Sequence, residues 1–296
     1  MKTLITGASG FIGRALLRQN LIGELHVTSR VYTSFPAGIT GHFGDLGDKE
    51  FVKYLAEQQF ERVIHLAWQG LPNLSEGNNL RNLKTSKQFL EILASSGVED
   101  FHIAGSCLEY GDKSGQLDEG VIGENISDFA SAKIELLEFV AGLGVAYKWY
   151  RIFYAYGPFQ HDNSLLSSAF LSVKNGVALK LSNPNISRDF VYVDDVARYL
   201  ALLCSKFRTK NIVRYHNLGN ESVFQIGDFV KMTLSVARSL NWFQGAYPSK
   251  LVLSSTSSTD FTLQHHYDLE QDFQQEPLLT TIEKYLLWAQ ANENTL

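Results

Sequence analysis

Short apolar runs alternate with longer amphipathic segments along the first half of the chain. This pattern predicts strands that alternate with helices, which is typical of a parallel, doubly wound α/β sheet. The run at 62–66, Arg-Val-Ile-His-Leu, is almost continuously apolar, as expected for a central parallel strand. The predicted strands are residues 2–6, 26–29, 62–66, 100–104 and 146–153, and the predicted helices are 11–22, 49–58, 79–95 and 129–141.

The rhythm changes after about residue 155, where Gly157-Pro158 interrupts the pattern. No repeat and no low-complexity linker separates the two halves, so the second half is predicted to be a smaller α/β lobe interwoven with the first. We predict one domain over residues 1–158 and the lobe over 159–296. Within the lobe, the pattern predicts helices at 163–174, 194–206 (capped by Asp194 or Asp195), 226–240 and 279–291, a strand at 178–181, and loops at 253–262 and around His265-His266.

Composition narrows the classes of protein. The chain has 296 residues, of which 45% are hydrophobic and 19% charged, an ordinary globular composition. Its formal net charge of −5 gives no basic field for nucleic acid or an anionic membrane. Two cysteines, Cys107 and Cys204, are too few for a disulfide framework and fit a reducing compartment. The N-terminus does not have the pattern of a signal peptide, and no apolar run reaches membrane-spanning length, so we expect a cytoplasmic protein.

The first candidate for chemistry is a glycine-rich segment between the first strand and the first helix. It reads Thr6-Gly7-Ala8-Ser9-Gly10-Phe11-Ile12-Gly13. Glycines at such a turn allow backbone N–H groups to approach a pyrophosphate, although an ordinary strand-to-helix turn has similar composition. The segment predicts dinucleotide binding by Gly7, Ser9, Gly10, Phe11, Ile12 and Gly13.

The end of the second strand indicates which dinucleotide binds. An NAD site usually has an acidic residue there, which binds the ribose 2′-hydroxyl, whereas this chain has Thr28-Ser29-Arg30. A guanidinium matches the oxygens of a 2′-phosphate, so we predict NADP(H), with NAD as the alternative in which Arg30 is only a solvated cation. Asp45 and Leu46 are predicted to border the adenine.

Several segments, in consistent order from Lys2 to about Gly219, carry further information. Besides the glycine turn they are His65-Leu66-Ala67, Asn82, Gly105-Ser106-Cys107-Leu108-Glu109-Tyr110-Gly111, Lys133, Arg151-Ile152-Phe153-Tyr154-Ala155-Tyr156-Gly157-Pro158 and Arg188-Asp189-Phe190-Val191-Tyr192-Val193-Asp194-Asp195. Together they resemble the extended short-chain dehydrogenase/reductase family of NAD(P)-dependent nucleotide-sugar epimerases, dehydratases and reductases. The resemblance implies a Rossmann-type fold, with Leu66, Ala67, Lys133 and Phe153 beside the cofactor and with Ser106 and Lys133 in the catalytic set.

The resemblance also implies a nucleotide-diphosphate sugar as substrate. Arg188 is the main candidate for the diphosphate, because a guanidinium forms charge-assisted, often bidentate bonds with phosphate. An ion pair of Arg188 with Asp189 or Asp195 is the structural alternative. Trp68 and Gln69 are expected to shape the sugar pocket. The full set of predicted substrate contacts is Trp68, Gln69, Ser106, Cys107, Glu109, Tyr154, Asn163, Leu165 and Arg188.

One position departs from the family pattern. The catalytic Tyr of the family stands four residues before the Lys, and this chain has Phe129-Ala130-Ser131-Ala132-Lys133. Phe cannot exchange the proton that the substrate oxygen needs. We favour an introduced Tyr→Phe change, because the rest of the site is intact. The alternatives are a natural non-catalytic binding protein, or a proton from another group, with Cys107, Glu109, Tyr110 and Tyr154 as candidates.

These observations predict an NADP(H)-dependent reductase of a nucleotide-linked 4-keto-(6-deoxy)hexose for surface polysaccharide, inactive or weakened by Phe129. The alternatives are an NAD-dependent nucleotide-sugar 4-epimerase and a protein that only binds cofactor or nucleotide sugar. The turn after Ser106 has no Asp-Glu pair, which disfavours dehydration. The eight His have no metal-ligand spacing, so no metal is expected. The family resemblance implies a homodimer through a four-helix bundle of the helices 79–95 and 129–141.

Overall fold

The computed structural model describes residues 1–71, 75–175, 177, 179–205, 215–220, 222–241, 252–253, 263–265 and 275–292. The strands in chain order are β1 (Lys2–Thr6), β2 (Glu24–Ser29), β3 (Ile39–Phe43), β4 (Arg62–His65), β5 (Asp100–Ser106), β6 (Gly115–Leu117), β7 (Ala146–Ile152), β8 (Tyr154–Tyr156), β9 (Lys180–Leu181), β10 (Ser187–Tyr192), β11 (Tyr215–Leu218), β12 (Val223–Gln225), β13 (Val252–Leu253) and β14 (Leu263–His265). The helices are α1 (Phe11–Leu16), α2 (Lys49–Glu57), α3 (Glu76–Ser95), α4 (Asp128–Gly142), α5 (Leu165–Lys174), α6 (Val193–Ser205), α7 (Ile226–Ser239) and α8 (Leu278–Ala291).

Seven parallel strands form the main sheet in the order β11-β7-β5-β4-β1-β2-β3. The chain runs outward from β1 to β3 and then crosses to β4 on the other side of β1. This reversal brings the carboxyl ends of β1 and β4 together, which is where open α/β sheets bind ligands. β4 is buried along its whole length, as its apolar run predicted. The predicted fold class, a Rossmann-type doubly wound sheet, is confirmed.

The chain divides into two compact units. Unit 1 comprises Met1–Asp112, Glu119–Ile152 and Val196–Leu218, and unit 2 comprises Lys113–Asp118, Phe153–Asp195 and Gly219–Leu296. This division describes how the chain packs. The assignment of residues 1–158 to the cofactor and 159–296 to the substrate stays a prediction.

Unit 1 has its core between the sheet and the helices α2, α3 and α4. The apolar side chains that alternate on the strands meet those on the inner helix faces, and Leu4, Val63, Phe89 and Phe101 are completely buried there. α3 packs against both α2 and α4. Burial of each such side chain contributes about 1.5–3 kcal/mol relative to exposure. The core therefore fixes the strand ends that carry the candidate site.

Unit 2 has its own aromatic core. β10 pairs in parallel with β8 and antiparallel with β12, and α7 packs against α5 and α8. The rings of Phe190 and Phe229 stack with their centroids 3.9 Å apart. The hydroxyl groups of Tyr156 and Thr281 form a hydrogen bond of 2.5 Å, which satisfies the polar end of a buried ring.

Some predicted element limits are wrong. α1 ends at Leu16, not at residue 22, because the chain tightens into turns: the amides of Arg18 and Gln19 donate to Ala15 and Leu16. Ile22 is 74% exposed, so no apolar face continues the helix. Asp194 and Asp195 lie in the first turn of α6 rather than at its N-cap.

Two predicted loops contain short strands. Leu253 ends β13, which pairs with β9, and His265 ends β14, which pairs with β6. Pairing with distant strands overrode their polar local sequence. α5 begins at Leu165, later than predicted. Residues 178, 206, 254–262 and 266, which belong to predicted elements or loops, lie outside the described residues.

Candidate functional site

The glycine turn lies directly after β1, at the carboxyl edge of the sheet. Gly7 has φ +72°, and a Cβ there would stand 2.8 Å from the amide nitrogen of Ala67. A Cβ at Gly13 would overlap the carbonyl oxygen of Gly7 and Cα of Ala8. These contacts make glycine necessary at both positions, because any side chain would separate α1 from the turn or the turn from the chain after β4.

The other predicted cofactor contacts of this turn also lie at the sheet edge. Ser9 and Gly10 are exposed, while Phe11 and Ile12 are half-buried at the start of α1. The carbonyl of Ser9 accepts a hydrogen bond from Nε of Arg14, and the amide of Gly10 donates to the carbonyl of Gly7. The turn thus presents backbone and small side chains to solvent, and this shape fits the close approach of a pyrophosphate.

The chain after β4 is held from both sides. Leu66, Ala67, Trp68 and Gln69 are half-buried there, and the amide of Ala67 donates to Oγ1 of Thr6, 3.3 Å away. Asn82 on α3 clamps the far end of this segment. Its Oδ1 accepts from the amide of Gln69 at 2.7 Å, and its Nδ2 donates to the carbonyl of Gln69 at 2.8 Å.

Gln69 contacts the predicted 2′-phosphate residue. The guanidinium of Arg30, exposed after β2, donates to Oε1 of Gln69 over 3.0 Å. The role of Gln69 in the sugar pocket stays a prediction, and its hydrogen bond to Arg30 is a contact that the sequence did not reveal. Asp45 is exposed after β3 and accepts from the amide of Gly47, and Leu46 beside it is buried.

Phe129, Lys133 and Trp68 form one cluster. Phe129 and Lys133 lie one turn apart on α4 and are 6% and 5% exposed. Nζ of Lys133 is 3.8 Å from the centroid of the Trp68 ring and 5.9 Å from that of Phe129. The Trp68 and Phe129 rings meet edge to face at 5.7 Å. The predicted catalytic helix and the predicted sugar-side loop are therefore in direct contact.

Burial changes the chemistry of Lys133. Its ammonium donates to the carbonyl oxygen of Ala104 at 2.8 Å. Loss of solvent disfavours the charged form and lowers the pKa of Lys133 to about 7, although the charge of Glu109 opposes this change. Contact with the face of the Trp68 ring favours the cation. A lysine with a pKa in this range can release and take up protons near neutral pH.

His65, the last residue of β4, lies beneath this cluster as a neutral ring. Its Nδ1 and Nε2 form hydrogen bonds with Oγ1 of Thr6 at 2.8 Å and Oγ of Ser86 at 2.9 Å. Complete burial, with a smaller effect of the Lys133 charge, lowers the pKa of His65 from 6.5 to about 3. The ring ties β1, β4 and α3 together just below the glycine turn.

We expect His65 to make stability depend on pH. Below pH 6.5 the unfolded chain binds a proton at His65 that the folded chain excludes until about pH 3. The contribution is complete above pH 6.5 and falls by about 1.4 kcal/mol per pH unit below it. In urea unfolding between pH 7 and 4, H65N should lose this part of the slope. H161N, at an exposed histidine, should keep the wild-type slope; equal slopes for all three proteins would contradict the assignment.

Ser106 ends β5 and caps the 3₁₀ turn Cys107–Tyr110. Its Oγ accepts from the amide of Leu108, while its own amide donates to Oε1 of Glu109 at 2.7 Å. This reciprocal capping box fixes the position of the Ser106 hydroxyl. Ser106 is half-buried, and it lies two residues after Ala104, so their side chains point to the same face of β5.

Glu109 is fully buried, and protein groups surround its carboxylate. Nε of Arg151 donates to it at 2.8 Å, Nε1 of Trp149 donates at 2.9 Å, and the amide of Ser106 completes the set. The sequence predicted Glu109 as a substrate contact and as a candidate proton source, and it did not reveal this ion pair. Arg151 within an apolar strand was an available signal, since a buried charge requires a partner.

The ion pair continues into a wider polar network. Nη1 of Arg151 donates to the hydroxyl of Tyr110 at 3.1 Å and to the carbonyl of Glu119 at 2.6 Å. The Tyr110 hydroxyl donates to Oδ1 of Asn217 at 2.8 Å. Burial raises the pKa of Tyr110. This network supports the turn that carries Ser106.

The remaining predicted contacts divide between the units. Cys107 is buried in unit 1. Burial raises the pKa of the other cysteine, Cys204, to about 12, so the Cys204 thiol is protonated. In unit 2, Phe153 is buried, Tyr154 is half-buried, Asn163 is exposed and Leu165 begins α5.

Arg188 lies on β10 in unit 2. Its guanidinium carbon is 5.2 Å from the centroid of the Tyr154 ring, and its Nη1 donates to the carbonyl of Ser187. Arg188 and Tyr154, which were predicted as substrate contacts from separate segments, are thus neighbours.

Two further properties bear on function. In the part of the chain that the structure describes, no three His, Cys, Asp or Glu side chains are grouped so that they could hold a metal ion. None of the described helices has both the length and the apolar character needed to span a membrane.

Comparison with known proteins adds the family. The profile of the NAD dependent epimerase/dehydratase family matches residues 3–219. A dTDP-6-deoxy-L-talose 4-dehydrogenase (NAD(+)) from Aggregatibacter actinomycetemcomitans is 26% identical over 219 residues, which are 67% of this chain and 77% of that protein. A CDP-abequose synthase from Yersinia pseudotuberculosis is 26% identical over 217 residues, or 69% of this chain and 74% of that protein.

Solved structures share the fold. The UDP-glucose 4-epimerase of Thermotoga maritima, determined with UDP-glucose, superposes with a TM-score of 0.80 at 20% identity, and the match covers 99% of this chain and 100% of that one. This agreement extends over both units of the chain.

Proposed function

The chain belongs to the NAD-dependent epimerase/dehydratase family, and from this premise we propose that it is an NADP(H)-dependent reductase of a nucleotide-linked 4-keto-(6-deoxy)hexose. The reaction belongs to the synthesis of sugars for surface polysaccharide. With Phe129 in the position of the family's catalytic Tyr, the chain acts at a reduced rate. The name of the similar dTDP-6-deoxy-L-talose 4-dehydrogenase supports oxidation and reduction at C4 of a nucleotide-linked 6-deoxy sugar.

The position of Arg30 carries the choice of cofactor and with it the choice of a reductase. Its guanidinium is exposed after β2, and Gln69, itself clamped by Asn82, accepts one of its hydrogen bonds. A cation held at this strand end suits a 2′-phosphate and replaces the acidic residue of an NAD site. A reductase draws on the cellular NADPH supply, whereas an epimerase recycles bound NAD, which favours reduction.

The residues of the chain divide the work. The turn of Gly7, Gly10 and Gly13 would hold the pyrophosphate, and Arg30 the 2′-phosphate. The dinucleotide, when bound, supplies the hydride for the sugar carbonyl. Ser106, fixed by its capping box, donates a hydrogen bond to the carbonyl oxygen. Phe129 gives the site an apolar wall but no proton.

The substrate is held by its nucleotide diphosphate. Arg188 binds the phosphates with charge-assisted hydrogen bonds, and Tyr154 beneath it orients the guanidinium. Trp68, Asn163 and Leu165 complete the predicted contacts with the nucleotide sugar. We also propose that two chains associate through α3 and α4 in a four-helix bundle.

Calorimetric titration with NADP⁺ and NAD⁺ tests this proposal. Wild-type protein should prefer NADP⁺, and R30A should bind NADP⁺ about tenfold or more weakly, because charge-assisted hydrogen bonds contribute about 1.5–3 kcal/mol. The affinity of R30A for NAD⁺ should stay close to wild type. R18A removes an exposed guanidinium after α1 and is the matched control, which should keep the NADP⁺ preference.

Other outcomes identify the competing functions. A preference for NAD⁺, or NAD⁺ that copurifies with the protein, would contradict the reductase and support a nucleotide-sugar 4-epimerase. Binding of cofactor and nucleotide sugar without turnover, by this chain and by F129Y, would support a protein that only binds them. Absence of dinucleotide binding would overturn the assignment of the glycine turn.

A further inference from the structure

Reduction of a carbonyl requires a proton for the oxygen, and Phe129 cannot supply it. The nearby groups with exchangeable protons are mostly engaged. Glu109 accepts hydrogen bonds from Ser106, Trp149 and Arg151. The hydroxyl of Tyr110 lies in the network of Arg151 and Asn217. Both groups are buried, and their hydrogen bonds hold them in the network that supports the turn.

His65 and Ser106 are also poor sources of this proton. Both ring nitrogens of His65 form hydrogen bonds, with Thr6 and Ser86, and its ring is neutral. The Ser106 hydroxyl has an intrinsic acidity far too low to release a proton without a base. It can orient the substrate oxygen, but it needs another group behind it.

We propose that Lys133 is the catalytic acid of this chain, donating the proton from its own ammonium to the substrate oxygen. In the family pattern this lysine assists a tyrosine, so the role assigned here is a different one. The inference rests on the proposed reductase function. It applies to the chain with Phe129 as it stands, whatever the origin of that residue.

The geometry around Nζ supports this role. An ammonium has three N–H donors. Among the described residues, the carbonyl of Ala104 is the group that accepts a hydrogen bond from Lys133. Trp68 contributes only the face of its ring, at 3.8 Å. Ala104 lies two residues before Ser106 on β5, and α4 packs against the 3₁₀ turn that Ser106 caps, so Lys133 is hydrogen-bonded to the strand that carries the Ser106 hydroxyl.

The charges around Lys133 set its acidity. Glu109 in the 3₁₀ turn favours the ammonium, and its pairing with Arg151 weakens that effect. His65 at the end of β4 is neutral, while Trp68 after β4 and Phe129 on α4 are uncharged. Burial therefore dominates and brings the pKa of Lys133 to about 7, close to the pH at which a general acid works best.

The step balances with NADPH as the reductant. The hydride forms a C–H bond at the carbonyl carbon, and the carbonyl π electrons move to the oxygen. That oxygen takes a proton from Nζ, so an O–H bond forms and an N–H bond breaks. The sugar is reduced to an alcohol, the dinucleotide is oxidised, and Lys133 is left as a neutral amine that recovers a proton from solvent.

Substitution of Lys133 in two backgrounds tests the proposal. K133R keeps a positive charge but cannot release a proton at neutral pH, because the arginine pKa exceeds 12. In the wild-type background K133R should lower kcat for NADPH-dependent reduction by about 10²-fold or more. In the F129Y background the phenol supplies the proton, so K133R should lower kcat by only a small fraction of that factor. Wild-type kcat should also fall above about pH 7, and F129Y should move this limit upward.

A second measurement needs no turnover. In the ligand-free protein with ¹⁵N-labelled lysine, the Nζ resonance missing from K133R should titrate with a midpoint near pH 7. K53R identifies the resonance of an exposed lysine as the comparison. A midpoint for Lys133 equal to that of Lys53 would overturn the inference.

The outcomes separate this inference from the proposed function. Equal losses from K133R in both backgrounds, or an active F129Y beside an inactive wild type, would overturn the role of Lys133 and leave the reductase standing. Absence of reduction by both the wild type and F129Y would reject the reductase, and the role of Lys133 with it.

Discussion

F129Y should increase the rate of reduction of the nucleotide-linked keto sugar by about 10²-fold, within the 10²–10⁴-fold range of a positioned general acid. The substitution adds one hydroxyl to a ring that already lies one helical turn from Lys133, with the ammonium 5.9 Å from the ring centroid. A nearby cation stabilises a phenolate and so makes the phenol a better proton donor. The gain should appear in kcat, with the Kd of NADP⁺ little changed.

A second tyrosine on the same helix is the control. F139Y adds the same hydroxyl to a ring on α4 that contacts Lys87 and packs against the core of unit 1. Its kcat should equal that of the wild type. If F129Y gives no more activity than F139Y, the missing hydroxyl is not what limits this chain, and an introduced Tyr→Phe change is excluded as the explanation of Phe129.

E109A should destabilise the fold by about 3–5 kcal/mol, the largest stability effect we expect from a single polar substitution in unit 1. It would leave the guanidinium of Arg151, only 1% exposed, without the carboxylate 2.8 Å from its Nε. The amide of Ser106 and Nε1 of Trp149 would lose their acceptor as well. Urea unfolding at pH 7 measures the change in free energy.

An exposed ion pair provides the comparison. Oε1 of Glu50 and Nζ of Lys53 are similarly close, at 2.7 Å, but both side chains are solvated, so E50A should cost less than about 0.5 kcal/mol. The double variant of E109L and R151M should lose less stability than the sum of its single variants, because it leaves no unpaired buried charge. A loss from E109A as small as that from E50A would show that the network does not support the turn.

The sequence predicted features that depend on short stretches of chain. The parallel, doubly wound α/β sheet followed from alternating elements, and the glycine turn after β1 lies where its spacing placed it. The absence of a hydroxyl at Phe129 needs no structure, since four residues separate it from Lys133 on one helix. Local periodicity and turn chemistry determine such features, and both are written in neighbouring residues.

Contacts between distant segments cannot be read from neighbouring residues. The assignment of Gln69 to the sugar pocket stays a prediction, but its contacts with Asn82 through the backbone and with Arg30 through the side chain were not predictable from the sequence. The sequence predicted Glu109 as a substrate contact or proton source but did not reveal that β7 brings Arg151 and Trp149 to that carboxylate. It also extended α1 to residue 22, whereas the helix ends at Leu16 and Ile22 is 74% exposed.

The sequence alone therefore determined which residue types stand at the candidate site and in which order the elements follow one another. It also determined the family. The tertiary structure decided which buried charges are paired and how acidic each one is. Lys133 shows the difference: its position on the helix is local, but its pKa near 7 comes from burial against Trp68, Ala104 and Phe129. Desolvation depends on everything that surrounds a group, and only the folded chain assembles those surroundings.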